Sequence, residues 1–163
     1  MISINFLARG PLCGTILATL ALLAPAWAQT SGVVAAVTPP RTTGKRGGVM
    51  DARVTVQLRN GYHVNSNTPA DDYLIPLRLT WTAAPFEVAA TTFPRPRLEK
   101  YSFSSKPVSV FTGDFDILTR LKVPETVALG PGVLLGKLRY QACNDNSCLP
   151  PKTIEVRLPY QIQ

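Results

Sequence analysis

The chain has 163 residues, 45% of them hydrophobic and 17% charged, with 17 Lys and Arg against 10 Asp and Glu for a formal charge of +7. That length suits one domain with a real core and is too short for two ordinary ones after an export signal is removed. The basic residues Arg53, Arg59, Arg78, Lys122, Arg139 and Arg157 are scattered singly, not gathered into the one-faced stripe of a nucleic-acid footprint, so nucleic acid is not an expected partner.

In chain order, the first 28 residues read as a signal peptide. Arg9 is the only charged residue before position 41, and residues 12–24 form a mostly apolar run that is too short to span a bilayer comfortably. Ala26-Trp27-Ala28 supplies the small-x-small pattern of a cleavage site, which places the cut before Gln29. Cys13 follows Leu12, a large residue, and the apolar run comes after it, so a lipid anchor is rejected. No later segment is long and apolar enough to cross a membrane. The expected location is periplasmic or secreted.

Residues 29–48 are rich in Thr, Pro, Gly and Ala and read as a flexible leader, with an optional edge strand over 33–37. From there, period-two alternation dominates. Val54, Val56 and Leu58 share one face against Arg53, Thr55, Gln57 and Arg59, and Asn60-Gly61 then turns the chain. The pattern repeats at Leu77, Leu79 and Trp81, and again over 117–123, 134–140 and 154–158. Fifteen prolines break most helices. About seven to nine short strands with turns at this spacing predict an all-β, immunoglobulin-like antiparallel sandwich over residues 49–163.

Of three cysteines, Cys13 leaves with the signal and Cys143 and Cys148 remain. In an oxidising compartment those two thiols are expected to be bonded to each other. Four turn-forming residues, Asn144-Asp145-Asn146-Ser147, separate them and let the chain reverse. Reversal is required, because an extended run would part the ends by about 17 Å and a disulfide needs its Cα atoms within about 7 Å. A ring this small stabilises a fold by only about 2 kcal/mol, against nearly 5 for a ring of about 100 residues. Chemistry at an exposed tip therefore stands beside the plain alternative of a structural staple in a non-catalytic binding module. A structural bond of that kind has a reduction potential below about −300 mV. Two thiols and the lone His63 fall short of the four ligands of a structural zinc, and Met1 and Met50 offer little for copper. No metal or cofactor is expected, and His63 reads as a half-buried packing residue at a strand start.

The run Tyr140-Gln141-Ala142-Cys143 with Cys148-Leu149-Pro150-Pro151 resembles the signature of the N-terminal periplasmic domain of the thiol:disulfide interchange protein DsbD. Asn60-Gly61-Tyr62-His63-Val64-Asn65, Pro76-Leu77-Arg78-Leu79 and Lys106-Pro107-Val108-Ser109-Val110-Phe111 resemble its upstream blocks. The resemblance covers about residues 49–160 and implies a sandwich that carries a redox-active cysteine pair. It implies electron transfer from a membrane thiol-electron donor to periplasmic thioredoxin-fold proteins, without a cofactor. Carried over, Cys148 would form the mixed disulfide and Cys143 would resolve it. Residues 100–106 fall where the family has a mobile aromatic cap, with Phe103 the best match for the capping ring and Tyr101 beside it. Tyr62 matches an aromatic beside the active site. Arg139 and Lys152 would lower a thiol pKa if they faced it. Four residues between the cysteines is often one fewer than in the family, and electrons are expected from a separate protein.

Overall fold

The computed structural model describes residues 32–163, and every regular element among them is a strand. The expected signal peptide lies outside the described residues. In chain order the strands are β1 (Val34–Val37), β2 (Thr42–Gly44), β3 (Val49–Leu58), β4 (His63–Asn65), β5 (Arg78–Thr82) and β6 (Glu87–Thr92). They continue with β7 (Arg97–Glu99), β8 (Val108–Thr112), β9 (Phe115–Lys122), β10 (Gly130–Tyr140), β11 (Ala142–Cys143) and β12 (Lys152–Ile162). They form three four-stranded sheets, in the orders β1-β3-β9-β6, β2-β12-β10-β5 and β11-β4-β8-β7. The architecture is an immunoglobulin-like β-sandwich.

Alternation explains which faces meet. Met50, Ala52, Val54, Val56 and Leu58 of β3 are buried, while Asp51, Arg53 and Gln57 are exposed. Ile117 and Leu121 of β9 face the same interior, as do Leu134 and Leu138 of β10 and Val156 and Leu158 of β12. The first two sheets thus bury their apolar rows against each other. Thr119 is the polar exception on β9. It is fully buried, and its Oγ1 accepts a hydrogen bond from Trp81 Nε1 at 3.0 Å, which satisfies the indole that borders the core.

The third sheet is fed from both of the others. β3 leads into β4 through Asn60-Gly61, where Tyr62 N–H donates to the Arg59 carbonyl at 3.1 Å and Gly61 has φ of 80°. A residue with a Cβ reaches that φ only at a cost, so glycine suits the turn. β10 leads into β11 after one residue, Gln141. One core cluster accordingly joins Val54 and Val56, Leu138 and Val156, and Val64 and Phe111, one pair from each sheet.

The stretch expected as a flexible leader contributes two strands. β1 pairs antiparallel with β3, Val34 opposite Leu58, and Val34 is buried. β2 runs parallel to the end of β12, Tyr160 opposite Thr42. Both complete sheet edges that would otherwise stand open to solvent. β1 falls where an optional edge strand was expected, whereas the Pro and Gly content masked β2, whose partner β12 lies far along the chain.

Leu138 is fully buried at the meeting of all three sheets. Leu138→Ala is expected to lower the free energy of unfolding by about 2–5 kcal/mol, measured by urea denaturation with an unchanged slope.

Candidate functional site

β10 and β12 pair without interruption from Gly130–Ile162 to Tyr140–Lys152, and the cysteine segment is the tip of that hairpin. Leu149 N–H donates to the Ala142 carbonyl at 2.9 Å, and Asn144 N–H donates to the Ser147 carbonyl at 2.9 Å. Asn144 Oδ1 accepts the N–H of Asn146 at 3.0 Å and of Ser147 at 2.9 Å. One amide side chain therefore holds the bend, as Asn does when it substitutes for a backbone turn. The bend brings the Cα atoms of Cys143 and Cys148 to 4.0 Å, and their sulfurs are bonded. The two differ in surroundings. Cys143 is 0% exposed, and Cys148 is exposed at the tip.

Behind the pair a row runs across the sheet. Cys148 bridges Cys143, Cys143 lies opposite His63 on β4, and His63 lies opposite Thr112 on β8, all antiparallel. Residues directly opposite in antiparallel pairs leave the sheet on the same face. His63 is 3% exposed, and its Nε2 has no hydrogen-bond partner among the described residues. The Tyr101 ring stacks on it at a centroid distance of 4.0 Å and 18°. Phe103 stacks in turn on Tyr101 at 5.2 Å and 4°, and lies 6.3 Å from His63.

Burial holds the His63 imidazole below its usual range, with the carboxylates of Glu99 and Asp145 opposing. Burial also pushes the Tyr101 hydroxyl well up, helped by its hydrogen bond to Glu99 Oε2 at 2.7 Å and by the charges of Glu99 and Asp145. A cleft of about 220 Å³ is lined by Arg59, Tyr62, His63, Glu99, Tyr101 and Asp145, among others.

The structure brings the residues singled out from sequence into one neighbourhood. Tyr62 is half-buried, packs on the main core and lines the cleft. Tyr101 and Phe103 lie over His63, with Tyr101 the ring in direct contact. Ser102 Oγ donates to the Asp145 carbonyl at 2.9 Å, which ties the 100–106 loop to the cysteine tip. Arg139 and Lys152 are exposed and form no hydrogen bond or ion pair with the cysteines among the described residues. The charges bearing on His63 are acidic instead. His63 stands at a strand start as expected and is packed under Tyr101, but it is more deeply buried than the half-buried residue the sequence suggested. Its place opposite Cys143 depends on the register between distant segments, and no local pattern carries that. Among the described residues, no three His, Cys, Asp or Glu side chains gather as a metal group.

The sequence model of the family described as "Thiol:disulfide interchange protein DsbD, N-terminal" matches residues 34–159. Among solved structures, the N-terminal periplasmic domain of ScsB from Proteus mirabilis superposes with a TM-score of 0.52 at 17% identity, over 72% of this chain and 43% of that one. The chain thus spans less than half of that solved chain, and the likeness is one of fold. A fimbrial protein of enteroaggregative Escherichia coli gives a TM-score of 0.36 at 9% identity, over 81% of this chain and 100% of that one, too low to argue from. No curated protein matches the chain.

The depressed imidazole pKa fixes the sign of a pH effect. Below about pH 6.5 the unfolded chain takes up a proton at position 63 that the folded protein refuses. Stability is therefore expected to be level above about 6.5 and to fall as pH drops below it, by at most about 1.4 kcal/mol per pH unit. Urea denaturation of the wild type and of His63→Phe checks this, with the slope lost in the variant.

Proposed function

Because the chain belongs to the family of DsbD N-terminal domains, we propose that it is a periplasmic thiol:disulfide interchange domain relaying electrons through Cys143 and Cys148. The observation that carries the reading is the unequal pair. One sulfur is exposed on a hydrogen-bonded bend and is joined to one that is wholly buried. Exchange needs in-line approach of a thiolate to a disulfide sulfur, and only Cys148 offers that approach.

In the reducing direction, Cys148 thiolate attacks a partner's disulfide, forming a mixed disulfide and releasing one partner sulfur as thiolate. Cys143 then gives up its proton and attacks Cys148 Sγ, which restores the intramolecular bond and releases the second partner sulfur. The partner gains two electrons and the domain loses them. A membrane thiol-electron donor recharges the pair by the reverse exchange, and the acceptors are thioredoxin-fold proteins. No organic cofactor takes part. Residues 1–28 direct export in this reading and are cleaved off in the course of it.

Residues 100–106 act as the cap in this reading, with Phe103 and Tyr101 as its rings, and Tyr62 lines the cleft with Tyr101. The Ser102 bond to the tip supports that role, because a contact between loop and tip made by one exposed hydrogen bond can be broken by an arriving partner.

Cys148→Ala is expected to abolish exchange with the folded domain intact. Cys143→Ala is expected to accumulate a mixed disulfide with a thioredoxin-fold protein in periplasmic extract, read by non-reducing electrophoresis and mass spectrometry. No trapped adduct, together with a titrated potential below about −300 mV, would instead identify the bond as a staple. Ser102→Ala is expected to speed reduction by dithiothreitol up to about fivefold, the equivalent of one hydrogen bond of about 1 kcal/mol.

A further inference from the structure

Resolution of the mixed disulfide places an unusual demand on this molecule. Cys143 must become a thiolate, yet it is 0% exposed, and apolar burial raises a thiol's pKa. Solvent cannot easily take the proton. A neighbouring acceptor is needed, and one stands in the row behind the sulfur.

We propose that His63 accepts the proton of Cys143 when that thiol attacks the Cys148 mixed disulfide. Four observations carry the assignment. The register sets His63 directly opposite Cys143, so both side chains rise from the same face of the third sheet. Nε2 is buried without a partner among the described residues, and an unpaired buried ring nitrogen is costly unless something calls on it. The ring is held in place by Tyr101 at 4.0 Å. The cleft that His63 lines gives a proton a route to solvent. Burial keeps the imidazole neutral near pH 7, the form able to accept.

The other titratable groups around the ring are poorer acceptors. Glu99 is engaged by the Tyr101 hydroxyl, Asp145 is exposed at the tip, and the Arg59 guanidinium that also lines the cleft has no acceptor atom. The phenol of Tyr101 holds its own proton, since burial and the bond to Glu99 push its pKa up. Glu99 and Asp145 both favour the imidazolium once it forms.

The step balances simply. Cys143 S–H loses its proton to His63, the sulfur bonds to Cys148 Sγ, and the Cys148–partner bond breaks with its electron pair leaving on the partner thiolate. The imidazolium then returns the proton to the departing thiolate or to water in the cleft. In the reverse exchange His63 takes the proton of the attacking donor thiol and, as the imidazolium, gives it to Cys143 as that sulfur leaves.

The inference rests on the exchange reading, and its test separates the two. Reduced protein is mixed with a nitrobenzoate disulfide, whose coloured thiolate is released once when Cys148 attacks and again when Cys143 resolves the adduct. In the wild type the second rate is expected to rise with pH and level off once the imidazole is neutral. In His63→Gln the second rate, taken relative to the first, is expected to fall about a hundredfold near pH 7. It should then climb in proportion to hydroxide, and added imidazole should restore it in His63→Ala. An unchanged ratio and pH profile in His63→Gln would overturn the proposal and leave the exchange reading intact. No first release from the reduced wild type would remove both.

A second measurement needs no variant. His63 is the chain's only histidine, so its proton resonances are unambiguous. Its titration midpoint is expected to differ between the disulfide and dithiol forms. Identical midpoints would also overturn the proposal.

Discussion

β10 and β12 hold one register from Gly130–Ile162 to Tyr140–Lys152, and the cysteine tip is the continuation of that ladder. A slip of one residue would send Leu134, Leu138, Val156 and Leu158 to the solvent face, so burial of those side chains is what pins the tip. The constraint reaches the site through β11, where the chain crosses from the second sheet to the third within two residues of Tyr140. The position of the cysteines is therefore tied to the core of the whole sandwich and not to the local turn alone.

That placement makes two identical residue types chemically unequal. Cys148 is exposed at the end of the hairpin, and Cys143 is wholly buried beside β4, opposite His63. One sulfur is suited to meeting another protein, and the other is shielded from small oxidants and from water. The same burial that protects Cys143 makes its ionisation costly, and the residue opposite it is the chain's single histidine.

Three chain segments converge to build this neighbourhood. The turn after β3 brings Tyr62 and His63, the loop after β7 brings Tyr101 and Phe103, and the hairpin tip brings Asp145 and both cysteines. Tyr101 serves two purposes here. Its ring packs flat on His63, and its hydroxyl occupies Glu99, the carboxylate that opposes the low imidazole pKa more strongly than Asp145 does. Among the described residues, the hydrogen bond that links the loop to the tip is the one from Ser102 to Asp145, weak beside the stacking beneath it.

Much of this was legible beforehand. The alternation of Val54, Val56 and Leu58, and of Leu134, Leu138, Val156 and Leu158, announced strands with one buried face, because the pleat has a period of two wherever it occurs. The Asn60-Gly61 turn and the Asn-Asp-Asn-Ser bend were readable for the same local reason, as was the pairing of Cys143 with Cys148. The strands at Val34–Val37 and Thr42–Gly44 were harder, since an edge strand is stabilised by a partner that sequence spacing does not reveal. Residue order by itself thus determined the β architecture and the covalent pairing of two nearby thiols. Only the tertiary structure decided which sulfur is buried, which ring lies on His63, and that His63 faces Cys143. Those are relations between distant segments, set by sheet register and core packing and by no periodicity along the chain.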